Sequence, residues 1–305
     1  MKPSVNTQGA ITIDRGRLWD YVSLAKPELT FLSVLTALAG FLLASGGAAK
    51  PLSAQLLLHT LAGTALVGGG AGALNQFIER RYDRLMKRTE QRPLPSGRLA
   101  PFEALFFGCG IALAGIAELA LFVNPLTSFL AAATLVSYLF LYTPLKRITP
   151  HATLVGAVPG AIPPLMGWAA ARNTIDGDGL LLFGILFFWQ MPHFLSLAWM
   201  YRRDYSRAGY RLLSVIDLQG TQTCRHIFIH SMALVVMTII PWLSGMFGIV
   251  YLTGAVLLGG GFLAAGSQLQ RSRSNMAARR LFAASLVYLP ALMCVMVFDR
   301  LIPYR

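Results

Sequence analysis

Asn75, Glu79 and Asp83 recur every four residues in the run Asn75-Gln76-Phe77-Ile78-Glu79-Arg80-Arg81-Tyr82-Asp83. On a helix each step of four advances about 40° and rises about 6 Å, so the three oxygen-bearing side chains lie along one face. Two carboxylates and a carboxamide arranged this way suit a hard cation such as Mg²⁺, which binds through a few carboxylates together with substrate phosphates. Asp204 occupies the corresponding place in a second polar stretch further on. A lone acid at a helix end commonly does no more than meet water. Three oxygen ligands at regular spacing, with a fourth elsewhere, point instead to a site. Asn75, Glu79, Asp83 and Asp204 are therefore the candidate catalytic and metal-holding residues. Lys87, Arg88, Arg92, Lys146, Arg147, Arg202 and Arg203 could all line the same mouth as these acids. A metal ringed by Arg and Lys is what a diphosphate requires. The same cations also suit lipid headgroups, so two or three of the seven are expected to touch a substrate.

The elements that must position these residues follow from composition. The chain has 305 residues, of which 55% are hydrophobic and 13% charged, and its mean hydropathy is +0.58. An average soluble domain carries about 25% charged residues, so this chain could not cover a globule with polar surface. Disorder is excluded by the same apolar excess. Cys109, Cys224 and Cys294 lie far apart and indicate neither a disulfide framework nor a thiolate metal site. A spanning helix needs about 20 predominantly apolar residues. Nine such stretches occur, at roughly 28–46, 53–75, 102–122, 126–142, 152–170, 180–200, 228–247, 249–266 and 281–299. Breakers separate them: Gly46-Gly47 with Pro51, Pro101, Asn124-Pro125, Pro150, and Asp176-Gly177-Asp178-Gly179. The ten-residue alternation of a membrane barrel is missing. The expected architecture is an all-α polytopic membrane protein, one domain over 1–305 with nine transmembrane helices and a polar tail at 1–20.

The net charge of +13 could suggest nucleic acid, but its placement argues otherwise. With these nine spans, 22 of the 26 basic residues fall on one face. Lys50, Arg172, Arg300 and Arg305 remain for the other. The positive-inside rule then places the amino terminus in the cytoplasm. Asp14 and Asp20, with no apolar run in the first twenty residues, argue against a cleaved signal peptide. Two basic-side loops, roughly 76–100 and 201–226, are long and dense in both signs of charge, where chemistry tends to sit.

His193 lies inside the sixth stretch, in Trp189-Gln190-Met191-Pro192-His193-Phe194. An ionisable group at membrane depth is a functional-site candidate. One reading is axial ligation of a haem iron, with Trp189 packing on the porphyrin. The other is a histidine held by a backbone carbonyl freed at the Pro192 kink. His151 reads as interfacial, and His59, His226 and His230 have no nameable partner. Asn173, Asp176 and Asp178 resemble a calcium loop only superficially, because no Glu follows at the required spacing. A transporter is the rival class, with a site near mid-membrane between repeats. Here the acids cluster at the basic mouth.

Several motifs together resemble a known family. Asn75 to Asp83, continuing through Met86-Lys87-Arg88-Thr89 and Arg92-Pro93-Leu94, is similar to the first signature of the UbiA-type intramembrane prenyltransferases. Within that family the likeness is to the protohaem IX farnesyltransferase (haem O synthase) subgroup. Tyr142-Thr143-Pro144-Leu145-Lys146-Arg147, Gly160-Ala161-Ile162-Pro163-Pro164-Leu165-Met166-Gly167-Trp168, the run from Trp189 to Phe194, and Asp204-Tyr205 with Ala208-Gly209 extend it over roughly 20–300. The resemblance implies a nine-helix bundle open toward cytoplasm and bilayer. It further implies Mg²⁺-assisted ionisation of farnesyl diphosphate, capture of the allylic cation by a vinyl group of haem B, and addition of water to give haem O. Hand-over of that product to haem A synthase or a terminal oxidase would follow. The wider family usually has Asp where this chain has Gln76. It also has paired Asp residues where Met200 and Ala208 flank Asp204, so the carboxylate count is lower than in a full two-metal cluster. The haem-directed subgroup shares the Gln and Glu, which favours it over prenyltransferases of aromatic quinone precursors. The residues agree on chemical grounds: metal and guanidinium groups stabilise a departing diphosphate, and an intramembrane cavity shields a cation from water.

The charge asymmetry makes a direct prediction. Reporter fusions at Arg172 and Arg305 should read as outside, and at Arg92 and Arg273 as inside. A cytoplasmic reading at Arg172 would break the nine-span topology.

Overall fold

A computed structural model describes residues 15–45, 53–300 and 302, and among them every regular element is a helix. The expected breaker at Gly46-Gly47 and Pro51, and the tail through Asp14, lie outside the described residues. The elements are α1 (Arg15–Leu24), α2 (Pro27–Ser45), α3 (Ala54–Asp83), α4 (Pro101–Phe122), α5 (Pro125–Val136), a π-helical turn (Ser137–Tyr142), α6 (Thr143–Leu145), α7 (Ala152–Arg172), α8 (Gly177–Met200), α9 (Arg202–Arg207), α10 (Leu213–Ile216), α11 (Thr221–Leu243), α12 (Ile249–Ser272) and α13 (Asn275–Arg300). With α5 to α6 counted as one continuous span, nine helices among the described residues are long and apolar enough to cross a bilayer. The chain is an integral multi-pass membrane protein.

Boundaries differ from expectation where polar residues continue a helix. α3 runs eight residues past Asn75, so the segment expected as the start of a loop is helical and the Asn75–Asp83 face is regular. α11 begins at Thr221 rather than 228, and α13 at Asn275 rather than 281. Part of the expected tail forms α1, which carries Trp19 two-thirds exposed. Short polar side chains cap the ends. Ser53 accepts from the Leu56 N–H and Asn124 from the Thr127 N–H, satisfying amides that lack an intrahelical partner. The acidic loop behaves likewise: Asn173 ends α7 in a left-handed conformation and Asp176 caps α8 through the Gly179 N–H.

α7 and α8 are the most enclosed of the nine spans. α7 packs on α2, α5 and α8, and α8 is further flanked by α11 and α13, while α3 pairs with α4 and also meets α2. Large apolar side chains such as Phe102, Phe106, Phe129 and Leu257 are exposed on outer helices, where acyl chains would cover them. Lipid offers little hydrophobic drive between helices, so close backbone approach through small residues holds such bundles together. At the α2–α7 crossing, a Cβ on Gly40 would overlap the Pro164 carbonyl oxygen, and one on Gly167 would overlap the Ala37 carbonyl oxygen.

Two irregularities shape the interior. Pro159, Pro163 and Pro164 lie inside α7, each removing a backbone donor and freeing a carbonyl one turn back. The side-chain amide of Gln190 on α8 reaches across to donate to the Ala157 carbonyl. The π-helical turn before α6 is the second; such bulges often mark functional sites. Thr143, just after it, donates to the Tyr138 carbonyl and is thereby aimed at α3.

Gly40→Val or Gly167→Val should lower stability by about 1–3 kcal/mol through overpacking against backbone, read as a fall in Tm in lipid nanodiscs. Gly260→Ala, with nothing within 4 Å of the added carbon, should leave Tm nearly unchanged.

Candidate active site

A cavity of about 310 Å³ opens among α2, α3, the π-helical turn, α7 and α8. At its polar end Asn75, Glu79 and Asp83 share it, as the helical spacing requires. Each is buried, and each is held by a cation brought from elsewhere. Lys26 Nζ donates to Asn75 Oδ1 at 2.7 Å, Lys146 Nζ to Glu79 Oε1 at 2.8 Å and Arg92 Nη1 to Asp83 Oδ2 at 2.8 Å. The Tyr210 hydroxyl donates to the same Glu79 Oε1 at 3.0 Å, and Asn75 Nδ2 to the Thr143 hydroxyl at 3.2 Å.

Local folding explains these meetings. The Thr89 hydroxyl donates to the Asp83 carbonyl, turning the chain back at the end of α3 so that Arg92 reaches Asp83. The Arg211 N–H donates to the Lys146 carbonyl. That bond clamps the segment after α9 onto the end of α6 and sets Tyr210 beside Lys146. Gly209 takes φ +73° in this turn, a conformation open to glycine without steric cost. Lys26 itself sits at φ +48° between α1 and α2, an uncommon backbone for a side chain and a kind of strain that clusters at functional positions.

Four cations (Lys26, Arg88, Arg92, Lys146) and two carboxylates (Glu79, Asp83) line the cavity, a net positive mouth suited to a polyanion. Burial, and then the nearby Arg92, lower Lys26 to about 7; a bound anion would favour its charged form. Burial opposes the charge on Lys146 too, yet the Glu79 carboxylate outweighs it and holds the ammonium well above its ordinary value. Burial and the same carboxylate raise the Tyr210 phenol. Tyr138, Tyr142, Tyr205 and Tyr210 also line the cavity, and aromatic faces attract a cation. Lys146 already lies over the Tyr142 ring at 4.6 Å.

Of the expected residues, the structure brings together Asn75, Glu79, Asp83, Arg88, Arg92, Lys146, Trp189 and His193 on this cavity. Others lie off it. Asp204 pairs with Arg207 on α9, so the expected four-ligand set is not assembled. Among the described residues no three His, Cys, Asp or Glu cluster as a metal cage. Lys87 and Arg203 are exposed. Arg147 packs over Tyr82 and bonds its hydroxyl. Arg202 bonds the Trp199 carbonyl and Asn275. Their separation from the acids is a consequence of side-chain direction, which proximity along the chain does not reveal. Lys26 and Tyr210 escaped the sequence reading. The first counted there only as a topology charge; the second lay just past Ala208-Gly209, where its distance from Glu79 gave no signal.

Deeper in, Gln190, Trp189, His193 and Phe194 of α8 line the apolar part with Leu186 and Leu289. His193 Nδ1 lies 2.7 Å from the Ser285 hydroxyl on α13, so its partner is not a carbonyl freed by Pro192. Trp189 stacks on His193 itself, with ring centroids 4.8 Å apart. The indole thus supports the imidazole and lines the cavity as well. Elsewhere, His59 pairs with Glu118 and His230 donates to the His226 carbonyl.

The chain matches the model of the UbiA prenyltransferase family over residues 33–289. It is 45% identical to a protoheme IX farnesyltransferase of Solibacter usitatus, covering 92% of this chain and 98% of the relative. It is 46% identical to that of Salinibacter ruber, over 92% and 99%. Among solved structures, its fold is similar to a digeranylgeranylglyceryl phosphate synthase (TM-score 0.77, 16% identical, 93% and 99% covered). It is also similar to a UbiA homologue from Archaeoglobus fulgidus bound to GPP and Mg²⁺ (TM-score 0.64, 15% identical, 91% and 99% covered). These matches agree with the resemblance carried by the motifs from Asn75 to Gly209 and leave no place for a transporter.

Lys26→Met should weaken binding of inorganic pyrophosphate by about ten-fold or more, since a charge-assisted hydrogen bond is worth about 1.5–3 kcal/mol. Lys87→Met, exposed and off the cavity, should change it by less than about two-fold. Isothermal titration of the purified protein reads both.

Proposed function

The chain belongs to the UbiA prenyltransferase family, and on that premise we propose that it transfers the farnesyl group of farnesyl diphosphate to a vinyl group of haem B, yielding haem O and diphosphate. It is a membrane transferase. The observation that carries the reading is a single cavity with a cationic, carboxylate-bearing mouth and an apolar interior reaching His193.

In this reaction the C1–O bond of farnesyl diphosphate breaks and its electron pair leaves with the diphosphate. The vinyl π electrons close on C1, and the resulting cation takes up a water that then loses a proton to solvent. Lys26, Arg88, Arg92 and Lys146 bind the diphosphate and stabilise the charge it gains. The ring of Tyr142, with Tyr138 and Tyr210, screens the allylic cation. Leu29, Leu32 and Leu289 keep water from it along the isoprenoid path.

The donor set fits Mg²⁺: Asn75, Glu79 and Asp83 offer hard oxygens along one wall, facing cations that a shared diphosphate would bridge. Both contacts on Glu79 fall on Oε1 and that on Asp83 on Oδ2. Asn75, Glu79 and Asp83 would hold the metal, which supplies further neutralisation of the leaving group. Asp204 joins this set only by exchanging Arg207. His193 would meet the haem iron through its imidazole, with Trp189 as support. The distribution of basic residues supports a mouth that faces the cytoplasm, the bacterial relatives support a bacterial inner membrane, and the product would pass to haem A synthase or a terminal oxidase.

Purified protein given haem B, farnesyl diphosphate and Mg²⁺ should yield a haem heavier by one farnesyl group and one hydroxyl, identified by mass. Asp83→Ala and Glu79→Ala should cut turnover by orders of magnitude while haem still binds, because several kcal/mol of barrier lowering depend on the metal. Near-normal turnover by Asp83→Ala at low Mg²⁺ would remove that residue from the metal set. Prenylation of a quinone precursor, with haem B untouched, would overturn the substrate.

A further inference from the structure

The last spanning helix contributes a residue to the haem side of the cavity without touching it. Ser285 on α13 is fully buried. Its hydroxyl lies 2.5 Å from the Phe282 carbonyl oxygen, an atom that only accepts, so the single hydroxyl proton is committed there. His193 Nδ1 lies 2.7 Å from the same Oγ. With that proton already placed, the hydroxyl meets His193 as an acceptor, and Nδ1 must carry the hydrogen. In a neutral imidazole Nε2 is then unprotonated and holds a lone pair. His193 lines the cavity whereas Ser285 does not, so the ring's other edge is the one turned inward.

The surroundings fix the ring as well as the proton. Trp189 and Phe282 each stack on the imidazole with centroids 4.8 Å away. The Trp189 indole N–H donates at 2.9 Å to the Ser285 main-chain carbonyl. One residue thus holds His193 by its side chain and the ring stacked on His193 by its backbone. Metal-ligating histidines usually donate their second ring N–H to a fixed acceptor, which sets tautomer and orientation.

We propose that Ser285 is a positioning residue for haem: it locks His193 in the Nδ1–H tautomer, so that Nε2 is presented to the substrate's iron. This rests on the reading of His193 as the iron ligand. The other tautomer would place a hydrogen on the nitrogen that the iron must bind.

The test uses full-length protein in nanodiscs, titrated with haem B and followed by absorption. His193→Ala should lose the histidine-ligated spectrum. Ser285→Ala should weaken haem binding by about ten-fold or more and shift the bands, with farnesyl diphosphate affinity unchanged. The Trp189 contact to the backbone carbonyl survives that substitution, so the hydroxyl is isolated. Ser285→Thr, which keeps the hydroxyl, should restore affinity and spectrum. If His193→Ala is silent, the iron-ligand reading falls and the lock with it. If His193→Ala loses the spectrum but Ser285→Ala does not, or if Thr fails as Ala does, the lock alone is overturned. Nitrogen-15 NMR of histidine-labelled wild-type protein reads the tautomer independently of how the variants fold. An Nε2–H ring at His193 would overturn the proposal.

Discussion

The polar end of this bundle depends on Glu79, a carboxylate that two segments distant in sequence must satisfy. α3 carries it inward, Lys146 reaches it from the end of α6, and Tyr210 reaches it from the segment after α9. Removing one partner of a buried ion pair typically costs about 3–5 kcal/mol, because the other charge is left uncompensated. That asymmetry forces the segments to arrive together. Arg92 on Asp83 and Lys26 on Asn75 repeat the logic one turn of α3 to either side. A ladder of acceptors is thereby matched by a ladder of donors. The same donors face the cavity, so groups that neutralise the carboxylates at rest are positioned to bind a polyanion.

Beyond the mouth the constraint changes from charge to space. Glycines at the α2–α7 crossing let backbones meet closely enough to hold a bundle that lipid does not compress. The three prolines of α7 and the π-helical turn do the opposite and withhold regular packing where the cavity lies. Polar side chains tie this part of the backbone down, Gln190 donating to the Ala157 carbonyl and Thr143 to the Tyr138 carbonyl. Irregular backbone at this depth is tolerated because protein and cavity surround it rather than lipid.

The two ends together describe a reaction chamber with divided duties. In the proposed reaction charge would accumulate on the leaving diphosphate at the mouth, where Lys26, Arg92 and Lys146 are fixed in advance by their hydrogen bonds. On the same proposal the electrophile would form against tyrosine rings, and the acceptor would be held by α8 with support from α13. Ser285 and Glu79 play comparable parts at opposite ends. Each orients groups on other helices.

Hydropathy alone located the nine spans, because a bilayer admits only segments that satisfy their own backbone hydrogen bonds and that requirement acts residue by residue. The common face of Asn75, Glu79 and Asp83 was also legible, since helical periodicity is a local property. So was the family, through motifs that are contiguous in the chain. The partners of those acids were not legible. Lys26 stands 49 positions from Asn75, Lys146 stands 67 from Glu79, and Tyr210 stands 131 from Glu79. Ser285 stands 92 from His193. Asp204 looked equivalent to the α3 acids by its place after a span, yet it turns to Arg207 three residues away. Which side chains meet is set by how helices cross and by how far each is rotated about its axis. A pattern of apolar residues constrains that rotation only to the width of a helical face, and tertiary packing decides the rest.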